Sequence, residues 1–123
     1  MTPDTGVGTV DLLELLEKEK SYLPVIIKDF ARGRIEIDDR RSKLVSELKD
    51  SVGTILSTSD PTEESLYTIK AIFIFQEMHM LDDQARKIFV GDIFSRVPES
   101  VASGIEKKWP SMYEELKSLI KSS

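Results

Sequence analysis

The fold of this chain is decided by one strongly apolar stretch, Leu66-Tyr67-Thr68-Ile69-Lys70-Ala71-Ile72-Phe73-Ile74-Phe75. Wound as an α-helix, this segment carries apolar side chains around nearly its whole circumference. A helix of this kind has to be buried on every side. In a small protein it is therefore either the central helix of a bundle or a surface that another subunit covers.

A helix-start signal precedes the apolar stretch. Ser59 and Asp60 belong to the residue types preferred as helix caps, and Pro61 suits the first helical position. Glu63 adds a carboxylate in the first turn, where it favours the positive end of the helix dipole. We therefore expect a helix to begin at Pro61.

The far end of this helix leaves two alternatives. The helix either continues to Phe94 or breaks near Leu81, where Asp82 and Asp83 offer a second capping site. A continuous helix would be about 50 Å long at 1.5 Å per residue. Because that length is large for a chain of 123 residues, we favour the break.

The N-terminal half predicts two further helical segments. Leucines at helical spacing follow Asp11, and Pro24 interrupts that pattern, so we expect a kink or a restart there. Gly33 is placed as a helix stop. Arg34–Ile37 alternates like a strand but has no partner strand, so we interpret it as a connector pinned by its two isoleucines. Asp38 then begins another amphipathic helix.

Taken together, these patterns predict an all-α fold, a helical bundle of about five helices around a central apolar helix. We expect residues 1–9 to form a flexible N-terminal tail and residues 10–123 to form a single helical domain. Pro110 marks the start of the last amphipathic helix.

Composition excludes several classes of function. The chain has no cysteine, which excludes disulfides, thiolate metal sites and cysteine nucleophiles. Its net charge of −5 and pI of about 4.9 argue against a general nucleic-acid coat protein. Asparagine is also absent and only Gln76 and Gln84 are glutamines, while lysine and glutamate are abundant. This depletion is typical of hyperthermophiles, so we expect a thermophilic, archaeal source.

Neither a membrane span nor a secretory signal is visible. The best apolar run is interrupted by Lys70, Gln76 and Glu77 before it reaches the roughly 18 residues that a span needs. Met1–Gly8 lacks the basic and apolar regions of a signal peptide. We expect a cytoplasmic protein with no membrane partner.

No pattern in the chain predicts a reaction. His79, the single histidine, stands in Glu77-Met78-His79-Met80, where consecutive helical side chains point in different directions and cannot converge on one ion. Glu77 and His79 also lack a third group that would orient them as an acid–base pair. We therefore expect no cofactor, no metal site and no enzymatic activity.

The best polar pattern is a basic cluster between positions 28 and 43. Six positive residues stand there against four negative ones, a net charge of +2. Its candidate phosphate contacts are Arg32, Arg34, Arg40, Arg41 and Lys43. Because the charges are interleaved and no aromatic residue alternates with the arginines, a solvated, ion-paired face is the favoured interpretation. A nucleic-acid or acidic-partner surface remains the alternative.

Large apolar and aromatic residues supply the candidate protein interface, because such residues dominate binding hot spots. The candidates are Ile69, Ile72, Phe73, Phe75, Trp109 and Tyr113. For the last two, closure of one end of the core is the competing interpretation.

The second half of the chain, about residues 61–121, resembles the helical domain of GINS subunits, which form a four-part complex of archaeal and eukaryotic replisomes. The apolar helix of the family corresponds to Ile69–Phe75, and the end of its Arg-Leu-x-Lys-Ile-type pattern corresponds to Lys87-Ile88. A proline loop follows at Val97-Pro98. The closing helix, with a glutamate and aromatic residues, carries Glu106, Trp109 and Tyr113. Gln84 and Ala85 depart from that pattern, and the small β domain common in the family is missing.

The resemblance implies a structural subunit that packs against sister subunits and helps to join an MCM-type helicase to its partners. We therefore expect a non-enzymatic helical protein–protein interaction subunit of an intracellular assembly, with DNA replication as its best-specified role. The alternative is a small nucleic-acid-associated factor that uses the basic cluster.

Overall fold

A computed structural model describes residues 12–17, 23–37, 39–94 and 99–121. These residues form seven α-helices and one 3-10 turn, and no strand occurs among them. In chain order the elements are α1 (Leu12–Leu16), α2 (Val25–Ala31), the turn Asp39–Arg41, α3 (Ser42–Ser57), α4 (Pro61–Glu77), α5 (Asp83–Phe94), α6 (Glu99–Lys108) and α7 (Pro110–Lys121). The predicted all-α class is confirmed, with seven helices where about five were expected. The predicted tail at residues 1–9 lies outside the described residues.

Local chemistry starts α4 where the sequence predicts. The Asp60 carboxylate accepts a hydrogen bond from the backbone N–H of Thr62 at 3.0 Å, and Pro61 occupies the first helical position. Thr58 extends this cap, because its hydroxyl donates to Glu63 at 2.7 Å and accepts from the backbone N–H of Asp60 at 3.1 Å. The carboxylate of Glu63, in the first turn of α4, thus accepts a hydrogen bond from the loop that precedes the helix.

The predicted break near Leu81 is confirmed, because α4 ends at Glu77 and α5 begins at Asp83. The backbone of His79 is left-handed, with φ of 61°. Its N–H donates to the carbonyl of Gln76 at 3.0 Å, and the N–H of Met80 donates to that of Phe75 at 2.9 Å. These two bonds form a Schellman motif, in which the left-handed residue ends the helix.

Two of the predicted boundaries in the N-terminal half are confirmed as well. The Pro24 carbonyl accepts the first hydrogen bonds of α2, from Ile27 and Lys28. Gly33, with φ of 70°, ends the helix in a second Schellman motif. Ile35 and Ile37 are half-buried and pin the connector to the core, as predicted.

The start of the next helix needs a correction. α3 begins at Ser42 rather than at Asp38, since Arg41 has a non-helical backbone (φ −108°, ψ 46°) and a 3-10 turn precedes it. Asp38 itself lies outside the described residues.

Two apolar cores share α4. The first core joins α1, α2 and α3 to one side of α4, which contributes Ala71, Ile74 and Phe75. The second core joins the other side of α4, with Ile69 and Ile72, to α5, α6 and α7. An all-round apolar helix is buried here between the two halves of the chain.

Replacing His79 by glycine should raise the free energy of unfolding by about 1 kcal/mol, because glycine adopts a left-handed backbone without strain from a Cβ atom. His79 is exposed, so little packing is lost. Denaturant unfolding measures the change. Gly33→Ala, the reverse exchange at a matched position, should lower stability by a similar amount. A less stable His79→Gly variant would contradict this account of the turn.

Candidate functional site

Three of the predicted interface residues lie inside the folded chain. Ile69, Ile72 and Phe75 have no exposed surface, and the Phe75 ring meets Phe30 edge-on at 6.0 Å between centroids. Their apolar area is thus already covered by the two cores. Their role in contacting another subunit remains a prediction.

The other three candidates keep part of their surface. The Trp109 ring packs edge-on against Tyr67 with 5.3 Å between centroids, and the ammonium of Lys70 lies 4.8 Å from its centroid. The ammonium of Lys117 likewise lies 5.2 Å from the centroid of the Tyr113 ring. Both rings pack on the second core and remain half-buried. Phe73 is half-buried as well.

A polar cluster ties α5 to α4 and α7; we call it the Arg86 cluster. Nη1 of Arg86 donates to Gln76 on α4 and to Glu115 on α7, each at 3.2 Å. Gln76 in turn donates to Asp83, at the start of α5, at 3.1 Å. The Arg86 guanidinium also lies 5.2 Å from the centroid of the Phe73 ring. One side chain thus joins three helices.

Burial makes Arg86 the critical member of this cluster. Its side chain is only 13% exposed, whereas those of Asp83 and Glu115 are 80% and 60% exposed. Ion pairs with such exposed carboxylates contribute little free energy. The main contribution of Arg86 therefore comes from the packing of its stem and guanidinium between α5 and Phe73.

An open groove of about 560 Å³ lies along α5, and we call it the α5 groove. Its described lining consists of one face of that helix: Asp83, Gln84, Lys87, Ile88, Gly91 and Asp92. Ile88 is 61% exposed, and only Val25 on α2 matches it among the described large apolar residues. An exposed isoleucine rimmed by charges is a small version of an interface core with a polar rim.

Gly91 is the unusual residue in the α5 groove. Two other glycines have reasons within the fold, since Gly33 has a positive φ and a Cβ atom on Gly104 would lie 3.2 Å from Leu66. A Cβ atom on Gly91 would meet nothing within 4 Å. A glycine inside a helix costs about 1 kcal/mol relative to alanine. The described part of the chain shows no compensating close contact at this position.

The basic cluster is only partly available to a partner. Arg32 and Arg34 are exposed around the end of α2, and Arg40 and Lys43 are exposed near the start of α3. Arg41 instead donates from Nη1 to the backbone carbonyl of Glu77 at 2.7 Å. It thereby caps the carbonyl end of α4, where a positive charge also favours the helix dipole.

The residues around His79 do not converge. Met78 is buried in the first core, while Glu77 and His79 are exposed. Across the described residues, no group of three or more histidine and acidic side chains is arranged to hold a metal ion. The described helices also include none that is long and apolar enough to cross a membrane.

Sequence reasoning gave Arg86 no role, and it named Ile88 only within the Lys87-Ile88 pair and not as an exposed side chain. A signal for both was present in the helical spacing. Arg86, Val90 and Ile93 recur at intervals of four and three, which places the arginine on the buried face. Ile88 is out of phase with them and belongs to the exposed face.

Comparison with known proteins adds no relative. No protein-family model, curated protein or solved structure gives a significant match to the chain.

Truncating Arg86 should destabilise the fold much more than removing its exposed partner. We expect Arg86→Ala to lower the free energy of unfolding by about 2 kcal/mol, because it removes packing and polar contacts among three helices. Glu115→Gln should cost about 0.5 kcal/mol or less. Denaturant unfolding of both variants measures the difference. Equal losses would contradict the role assigned to the buried guanidinium.

Proposed function

We propose that this chain is a non-enzymatic helical protein–protein interaction module, a subunit of a larger assembly that binds its partner through the α5 groove. The observation that carries this proposal is the 61% exposure of Ile88 beside a glycine that lacks a structural reason in the described chain. An exposed apolar side chain bordered by charged residues repeats on a small scale the arrangement of a protein interface, an apolar centre with a polar rim.

The Arg86 cluster supports this use of α5. It attaches the helix to α4 and α7 on one side, so that the opposite side is presented at a defined position. A partner then binds a preformed surface and loses less conformational entropy than it would by ordering a loose helix. Phe73, Trp109 and Tyr113, which keep accessible area, remain candidates for a wider interface.

In the best-specified form of this proposal, the chain is a GINS-like replisome component of an archaeal, thermophilic cytoplasm, with α4 as its central helix. That form rests on the sequence resemblance alone. In the family pattern the Lys-Ile pair ends the apolar helix itself. In this chain Lys87-Ile88 lies on α5, whereas the apolar segment lies on α4.

A charge placed in the α5 groove should remove the partner. The tagged chain and its Ile88→Asp variant would each be recovered from nuclease-treated extracts of the source cells. We expect the amount of a partner that co-purifies stoichiometrically with the unaltered chain to fall at least tenfold with the variant. Quantitative mass spectrometry measures the loss.

Val25→Asp is the matched control, because Val25 is exposed to 66% but lies on α2 and is not among the described lining residues of the groove. Helicase subunits among the lost proteins would support the replisome form. Equal recovery with both variants would contradict the use of the α5 groove.

A second candidate function is binding of nucleic acid or another polyanion by the basic cluster. It is favoured by the exposure of Arg32 and Arg34 on neighbouring positions at the end of α2. Such binding would depend strongly on salt, because each neutralised phosphate releases counterions.

Under this alternative, Arg32→Gln/Arg34→Gln should weaken binding of a labelled DNA duplex about tenfold or more at low salt and reduce the slope of log affinity against log salt by about 2. Fluorescence anisotropy measures both quantities. Lys107→Gln/Lys108→Gln, which neutralises two exposed lysines on α6, is the control. Binding that is absent at low salt would remove this candidate.

A further inference from the structure

The buried faces of α4 and α5 are in phase across the turn that separates the two helices. The stripe they share occupies positions 69, 72, 76, 79, 83, 86, 90 and 93, at alternating steps of three and four residues. Its apolar members lie in the second core: Ile69, Ile72, Val90 and Ile93. Because residues at this spacing share one face of a helix, a helical turn would merge the two faces into one.

Two straightened helices, packed antiparallel, would restore between two copies the contacts that α4 and α5 make within one copy. Opposite positions in an antiparallel pair have a constant sum. The hydrogen bond of 3.2 Å between Arg86 and Gln76 fixes that sum. The same sum pairs Ile72 with Val90 and position 69 with position 93, all in the second core. The twofold symmetry of the dimer then gives each pair twice.

The helices α5, α6 and α7 can be exchanged as one unit. Their contacts with the rest of the described chain are mainly with α4. Among themselves they are held by Val90, Ile105 and Leu116 in the second core and by the ion pair of Arg86 with Glu115 at 3.2 Å. An exchange between two copies therefore preserves both apolar cores and alters only the turn at 78–82.

The turn itself is suited to a helix and is strained as it stands. Met78-His79-Met80-Leu81-Asp82 contains neither glycine nor proline, and methionine and leucine are good helix formers. His79 is nevertheless left-handed, with φ of 61°, a conformation that is unfavourable for a residue with a Cβ atom. Met78 and Leu81 pack on the first core and follow Ile74 at steps of four and three, so they stay on that side of a straightened α4. Short, strained hinges of this kind favour exchange between copies.

We propose that two copies of this chain exchange α5, α6 and α7, with α4 and α5 of each copy joined into one helix from Pro61 to Phe94. The new contact lies at the twofold axis, near position 81, where His79 of one copy is opposite Asp83 of the other. Repulsion between the two Asp82 carboxylates beside the axis opposes the dimer, as does the loss of translational and rotational freedom. The dimer therefore forms only at high protein concentration, on the order of 1 mM. This inference goes beyond the proposed function and does not depend on the α5 groove.

Refolding at two concentrations tests the exchange, because the helices pair between copies only where copies are close together. The unaltered chain, refolded from denaturant at about 1 µM, should give a monomer. At about 1 mM it should give in addition a dimer that size-exclusion chromatography separates.

Distances between spin labels distinguish the exchange from any other dimer. Because the chain has no cysteine of its own, Thr62→Cys and Ile88→Cys carry the only labels. These positions lie about 39 Å apart in a helix that continues from α4 into α5, and about 20 Å apart in the hairpin. Labelled chain refolded with an excess of unlabelled chain reports pairs within one copy. Double electron–electron resonance should show the long distance in the dimer and the short one in the monomer.

Two substitutions should shift the equilibrium in opposite directions. Asp82→Ala removes the cap of α5, which only the hairpin needs, and the repulsion at the axis, so it should favour the dimer at least tenfold. His79→Gly relieves the turn and weakens the straight helix, so it should disfavour the dimer at least tenfold. Asp60→Ala is the matched control, because it removes the cap of α4, which both forms contain. It should lower the melting temperature of the monomer and leave the dimer fraction unchanged.

Three results would overturn the exchange. One is an unaltered chain that stays monomeric after refolding at about 1 mM. Another is a dimer in which the labels remain about 20 Å apart. The third is a dimer fraction that Asp60→Ala raises as much as Asp82→Ala does.

Discussion

The burial of α4 between two apolar cores is the constraint on which the rest of the structure depends. Its apolar residues point around the whole helix, so a single packing partner could cover only half of them. The chain covers one side with α1, α2 and α3 and the other with α5, α6 and α7. Ile72 and Phe75 lie in different cores although they are three positions apart. Packing in one half therefore supports the helix on which the other half is built.

The position of α5 follows from the end of α4. The Schellman motif at His79 stops α4 and turns the chain, and the Asp82 carboxylate caps the new helix by accepting from the backbone N–H of Ala85 at 2.7 Å. Burial of Val90 and Ile93 in the second core then sets the rotation of α5 about its axis, in agreement with the contacts that Arg86 makes with α4 and α7. Ile88, two positions after Arg86 along the helix, is directed away from the core as a consequence. An exposed isoleucine is thus a result of how the helix is anchored.

Most features that depend on a few neighbouring residues could be predicted from the sequence, although the helix start expected at Asp38 was wrong, and those that depend on distant residues could not. Asp60, Pro61, Pro24 and Gly33 act through their own backbone or the adjacent turn, so their patterns located helix ends correctly. The Arg86 cluster joins positions 76, 83, 86 and 115, and no local pattern relates them. The same reason explains why the burial of Ile69 and Phe75 inside the chain was not distinguished from burial against a partner: both environments require the same side chains. His79 ends α4 in a conformation that glycine usually adopts, which residue type alone could not indicate.

The central claim is that the chain binds a partner through the α5 groove, and site-specific photo-cross-linking tests it most directly. A photoreactive benzoylphenylalanine would replace Ile88 in the chain expressed in its source cells, and the same replacement at Val25 is the control, because both positions are exposed. The account predicts one cross-linked adduct of defined mass at position 88, about tenfold or more above any adduct at position 25. Equal cross-linking at both positions would mean random collision, and would contradict a defined contact at the α5 groove.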